Sequence, residues 1–241
     1  MTQSAVSSGN SGTRPVGPAV LLLVLAVVFA GLGVWQVYRL AWKTRLIAAV
    51  DAAIHAPPLD PARLPNGALA DWTYHRLAMT GHYRLSGTTL VTGTSTMGTG
   101  YWLLVPMTGN DGRTIYINRG FMPEGTRLDA ALRTVPTGEV RVEGLLRQSE
   151  PHGTFLRSNL PQQDRWYSRD IAAIAQKRGV AVDSRLFIDS SGETPVPSGE
   201  GQPVPGLTVI NFPNNHLGYA LTWFTMGLMA AGGAIVLLRR R

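Results

Sequence analysis

Two short segments near opposite ends of the chain hold the side chains best suited to chemistry. The first contains Trp35, Gln36, Arg39 and Trp42, and the second contains Asn214, Asn215, His216, Tyr219 and Trp223. At helical spacing, Trp35, Arg39 and Trp42 share one face, and His216, Tyr219 and Trp223 share another. Neutral imidazole is a metal ligand and binds iron in particular. A guanidinium pairs with carboxylates through two parallel hydrogen bonds, and indole and phenol rings offer flat apolar walls. Together they would suit a flat amphiphilic macrocycle such as haem, its propionates at the level of the lipid headgroups. The same residue types gather at membrane interfaces as plain anchors, and physical chemistry alone leaves both readings open.

Hydropathy is what brings the two segments together. No charged residue lies between Arg14 and Arg39, and the stretch 18–37 holds twelve Leu, Val or Phe residues. A helix crossing the hydrocarbon core needs about 20 apolar residues. The stretch 217–238 is likewise uncharged, although Gly218, Thr222, Thr225, Gly227, Gly232 and Gly233 interrupt it. Small residues four apart, Gly218 with Thr222 and Gly227 with Ala231, predict close packing against another helix, with the first span near Gly31 and Gly33 as partner. The end of the first span and the start of the second then emerge at the same membrane face. Val28, Phe29 and Ala30 also resemble a signal-peptide cleavage site. The apolar run continues beyond them, however, into Trp35, Tyr38, Arg39 and Trp42, the aromatic and basic belt of a retained anchor.

Arg239, Arg240 and Arg241 follow the second span, and no Lys or Arg occurs in the twenty residues before it. That asymmetry predicts cytoplasmic termini and an outward-facing central domain. The expected map is a disordered cytoplasmic tail at 1–17, a first transmembrane helix at 18–38 and an extracytoplasmic β-rich domain with short helices at 39–189. A Pro/Gly linker at 190–213, a second transmembrane helix at 217–238 and a basic cytoplasmic end at 239–241 complete it. Leu40, Lys43, Leu46, Ile47 and Val50 at helical spacing carry the first helix past the membrane until Pro57, Pro58, Pro61 and Pro65 stop it. Apolar or alternating runs at 74–83, 88–94, 101–107, 113–118 and 139–146 read as strands, and Asp111 with Gly112 marks a hairpin. Ser168 is placed to cap a helix over 169–178 that Gly179 ends, with a further strand at 185–189. The fold class is a membrane protein in which two transmembrane helices flank a mainly antiparallel β (α+β) extracytoplasmic domain.

Several chemistries are excluded. The chain has no cysteine, which removes disulfides, thiolate metal sites and cysteine nucleophiles. The net charge of +7 comes from scattered arginines, a poor footprint for nucleic acid. Gly93, Thr94, Ser95, Thr96 and Met97 lack the closing glycine of a nucleophile elbow, and no two histidines have the spacing of a zinc protease.

The residues in order resemble one known family, the surfeit-locus-one family of cytochrome c oxidase assembly factors. The match runs through Gly33, Trp35, Gln36, Arg39, Trp42 and Lys43, then Gly81, Gly100, Tyr101 and Pro106. It continues with Asn118, Arg119, Gly120 and Pro123, then Gly144, Leu145, Pro205 and Gly206, and ends on Asn214, Asn215, His216, Leu217, Tyr219, Ala220, Trp223 and Phe224. Phe121 departs from it, standing where the family usually has Trp. The resemblance implies a non-enzymatic role: assisting insertion or stabilisation of haem a in oxidase subunit I. Haem a is then the cofactor and His216 the candidate iron ligand, with Arg39, Trp35, Gln36, Tyr219 and Trp223 around it. Oxidase subunit I and haem a synthase are the implied partners besides the lipid bilayer. Asn118, Arg119 and Gly120 read either as a docking segment for a partner or as a turn that satisfies its own backbone. The tail is not an Arg-rich targeting helix, so the expected location is a bacterial inner membrane with the main domain periplasmic. The competing reading is a membrane-tethered extracytoplasmic ligand-binding or sensor module without haem.

Overall fold

The computed structural model describes residues 16–65, 67–154, 156–208, 210 and 212–239. Most of the expected tail and the last two arginines lie outside these. The chain divides into two compact units, Met1–Ala48 with Asn211–Arg241, and Ala49–Ile210.

The first unit is built from two helices, α1 (Val16–His55) and α4 (His216–Arg239). Each contains a stretch long and apolar enough to cross a membrane. Helix α1 takes in Val16 and Gly17, which the sequence assigned to the tail, because neither Gly nor the following Pro18 hinders the first turn of a helix. At its other end it runs on to His55, as the spacing after Leu40 predicts, and ends just before Pro57 and Pro58.

The second unit is a mostly antiparallel sheet of six strands: β1 (Arg76–Tyr83), β2 (Thr89–Ser95), β3 (Gly98–Gly109), β4 (Thr114–Pro123), β5 (Val140–Gln148) and β6 (Leu186–Thr194). Their order is β1-β5-β6-β4-β3-β2, and β1 also pairs with the end of β3, Gly81 opposite Gly109. Five strands thus close into a ring, with β2 on the remaining length of β3. Closure removes the free edges of the ring strands where they pair, while β2 pairs as a strand with β3 alone. The β3–β4 hairpin turns at Asn110–Arg113 with Gly112 at φ +81°, the left-handed conformation for which Asp-Gly is suited. The β4–β6 pairing is parallel, and nothing in the strand pattern announced it.

The core lies on both sides of this ring. Leu77, Met79, Met107, Ile117, Val142 and Ile188 form one cluster. Trp102, Tyr116, Phe121 and Phe187 form another, covered by α3 (Ile171–Arg178) through Ile171 and Ile174. Asp170, not Ser168, caps α3 by accepting from the Ala173 N–H at 3.1 Å. The Ser168 hydroxyl is diverted to the Glu150 carbonyl at 2.6 Å, so the helix starts two residues later than expected. A short helix, α2 (Leu128–Arg133), was not foreseen: its six residues are too few for a readable period.

The expected linker also begins later. Strand β6 runs to Thr194, because Ser190 to Thr194 continue pairing with β5. Beyond it, Val204 exchanges two backbone hydrogen bonds of 2.9 Å with Phe121, so the Pro/Gly stretch is pinned to the barrel rather than free.

Candidate functional site

In the helix unit, the seam of α1 follows a heptad. Ala19, Leu22, Ala26, Phe29, Gly33, Gln36 and Leu40, at alternating steps of three and four, are buried or half-buried, and Ala220, Gly227, Ala230 and Ala234 are the buried residues of α4. A 3.5-residue repeat of this kind packs helices side by side with small crossing angles. Phe29 stacks on Trp223 at 5.6 Å between centroids. A Cβ on Gly33 would lie 2.6 Å from the Phe224 ring, so the glycine makes room for it. Gly227 sits against Ala26, Phe29 and Ala30. Gly31 and Gly218, by contrast, face nothing within 4 Å; they stand off the seam, and the small-residue pair Gly218 with Thr222 is not the contact row.

One position in this seam is polar. Gln36 is 8% exposed, and its Oε1 lies 2.7 Å from Nδ1 of His216. The two residues come from segments 180 positions apart. His216 opens α4, with the Asn215 carbonyl accepting the Tyr219 N–H at 3.2 Å, which puts Asn215 in the capping place. His216 Nε2 has no hydrogen-bond partner among the described residues.

The other sequence-predicted residues divide. Trp223 joins the seam through Phe29. Trp35 and Tyr219 are each 56% exposed and Arg39 is exposed, its guanidinium 4.2 Å over the Trp42 ring. They are surface walls of the helix pair, and among the described residues His216 makes its side-chain hydrogen bond with Gln36 and not with them. Phe29 was missed, because in a helix apolar on every side nothing in the sequence marks its place in the seam.

For a haem, the fit rests on the donor set. A half-buried imidazole has one nitrogen engaged and the other open, and exposed indole and phenol faces and a guanidinium lie on the same two helices. Among the described residues no cluster of three or more His, Cys, Asp or Glu could hold a bare metal ion.

The barrel holds a second polar centre. Arg119 is the unpaired residue of a β-bulge in β4, where Leu103 faces Gly120 and Leu104 faces Asn118. Its side chain is 0% exposed and grips Glu193, 5% exposed, through Nε to Oε1 at 2.6 Å and Nη2 to Oε2 at 2.9 Å. Nη1 donates to the Thr134 carbonyl and hydroxyl. The Tyr83 hydroxyl donates to the same Glu193 at 2.7 Å. Burial, with the Glu193 carboxylate beside it, holds that phenol well above its ordinary range. Asn118 donates to Asp189 at 2.7 Å, and Gly120, at φ +135°, lies under the Val204 carbonyl.

This overturns the reading of the segment as a turn. Asn118, Arg119 and Gly120 are buried in β4 and bind it to β6 and to the stretch that follows, so a partner docking here would meet the outer strands and not these side chains directly. Beside β2 a cavity of about 430 Å³ opens between Thr94, Trp102, Arg147, Arg169 and Thr208. Its arginines are engaged by Glu150 and Asp189. Phe121 packs its ring edge-on to Trp102 at 5.5 Å.

The chain has relatives among known proteins. The chain is 32% identical over 254 residues to a SURF1-like protein of Monosiga brevicollis, covering 99% of this chain and 94% of that one. It is 32% identical to Surfeit locus protein 1 of Mus musculus over 88% of this chain and 71% of the relative, and 31% identical to the Homo sapiens protein over 88% and 73%. The model of the SURF1 family matches residues 23–228, from within α1 to within α4 and through every strand of the barrel, and the chain belongs to that family.

Proposed function

We propose that the chain is a membrane-anchored assembly factor for cytochrome c oxidase that helps place or stabilise haem a in oxidase subunit I. The observation that carries the reading is the contact between Gln36 and His216, which puts an imidazole with one open nitrogen at the start of α4. Helices α1 and α4 cross a bacterial inner membrane, with both termini cytoplasmic and the barrel periplasmic. His216 holds the haem iron, Arg39 pairs with a propionate, and Trp35, Tyr219 and Trp223 supply apolar walls. The chemistry that haem a supplies is that of the redox centre the receiving subunit requires; the chain itself binds, orients and shields. Family membership supports a non-enzymatic role. Oxidase subunit I is the proposed receiver and haem a synthase the proposed donor.

The test is purification in detergent from cells that make haem a. The protein should carry a haem a spectrum, and His216→Ala should lose most of it. A colourless protein whose gene can be deleted without loss of haem in the oxidase would favour the competing sensor reading, for which the cavity beside Trp102 is the natural ligand site.

A further inference from the structure

We propose that Gln36 sets the tautomer of His216 and so decides which imidazole nitrogen is offered to a ligand. The inference rests on the proposed function only for the ligand's identity, a haem iron that would take an imidazole nitrogen. The tautomer belongs to the two helices themselves.

A carboxamide oxygen only accepts hydrogen bonds. With Oε1 of Gln36 at 2.7 Å from Nδ1 of His216, the hydrogen sits on Nδ1. A neutral imidazole carries a single N–H, so Nε2 keeps its lone pair. Free histidine favours the opposite form, with the hydrogen on Nε2, and the contact therefore reverses the intrinsic preference. Gln36 is held firmly in this position, being 8% exposed and one step along the seam from Gly33, where Phe224 packs. An amide inside an apolar seam has few alternatives to the one partner it has. The consequence is geometric, because Nε2 is the ring nitrogen farther from the backbone, and a ligand is taken at the tip of the side chain. Metal-bound histidines are oriented in the same way by a hydrogen bond from the other ring nitrogen. Gln36 is then a positioning residue that need not touch the ligand.

The experiment uses the full chain in detergent, labelled with ¹⁵N-histidine and free of haem. A two-bond ¹H–¹⁵N correlation spectrum reports which ring nitrogen carries the hydrogen. The chain has five histidines, and His216→Asn identifies the pattern that disappears. The expected result is the Nδ1–H pattern for His216, kept in Gln36→Glu, which preserves an acceptor, and lost to the Nε2–H pattern in Gln36→Met, which has similar length and no acceptor of that strength. Unchanged patterns for the other four histidines in Gln36→Met establish that the barrel is intact. An Nε2–H pattern in the unsubstituted chain, or an Nδ1–H pattern that survives Gln36→Met, overturns the proposal. A protein that takes up no haem yet shows the Nδ1–H pattern sinks the haem reading and upholds this one.

Discussion

Arg119 and Glu193 meet through two parallel charge-assisted hydrogen bonds, 2.6 and 2.9 Å long, in a place where both side chains are buried. One comes from a bulge in β4 and the other from the end of β6, so the pair ties the parallel strands together beyond their three paired residues. Buried ion pairs contribute little net stability when compared with apolar substitutes, but breaking one strands a charge.

Glu193→Ala should accordingly destabilise the barrel by about 3–5 kcal/mol. Denaturant titration followed by the fluorescence of buried Trp102 and Trp166 measures it. A loss below about 1 kcal/mol, the level of a surface pair, would mean that Arg119 finds other partners.

Tyr83 makes the same cluster sensitive to alkali. Its folded-state pKa is raised, so the stability it contributes is fully present below the pKa of an exposed tyrosine, about 10, and is lost as pH rises through the folded value. Stability should fall above about pH 10, and Tyr83→Phe should make that fall shallower while costing some stability at neutral pH through the lost bond to Glu193. Tyr116, whose phenol is also raised by burial, leaves a residual slope in the variant. Equal slopes in the two proteins would disprove the linkage.

Gly120→Ala tests the pinning of the stretch after β6. A Cβ there would stand 2.4 Å from the Val204 carbonyl oxygen, at a φ that side chains rarely adopt. A cost of about 1–3 kcal/mol follows. Limited proteolysis should then cut between residues 195 and 208 faster than in the parent chain, and an unchanged rate would contradict the Phe121–Val204 bridge.

The helix pair can be checked by disulfide formation, since the chain has no cysteine to interfere. A Cβ at Gly227 lies 3.6 Å from that of Phe29, within the range for a disulfide. Phe29→Cys with Gly227→Cys should crosslink within one chain on mild oxidation. Gly31→Cys with Gly227→Cys should not, and equal yields would refute the seam.

Much of this was legible from spacing and much was not. The two apolar helices, the continuation of α1 to His55 and the Asp111-Gly112 hairpin announce themselves through hydropathy, the first downstream prolines and one dipeptide. Trp35, Arg39 and Tyr219 share faces as the helical period requires, yet period alone cannot say whether a face meets a neighbouring helix or its surroundings. Burial does say so, falling in steps of three and four from Ala19 to Leu40. It places Gln36 inside and Trp35 outside, a pattern that the more conspicuous small-residue pairs obscure. The burial of Asn118, Arg119 and Gly120 was hidden for a different reason: the parallel pairing of β4 with β6 joins segments some 70 residues apart, and polar residues are ordinarily read as surface. Ser168 and Asp170 were equally good caps by type, and only the competing acceptor at Glu150 decides between them.

A polar pair in an otherwise apolar helix seam also limits sliding. If α4 slipped by one heptad along α1, His216 would leave the amide of Gln36 for the place of Lys43, a cation with no lone pair to give, while Gln36 would be stranded among hydrocarbon. Gly33 would leave Phe224 as well, and two misfits would arise from one displacement. The two helices therefore behave as a keyed joint, their register fixed by side chains of the pair itself.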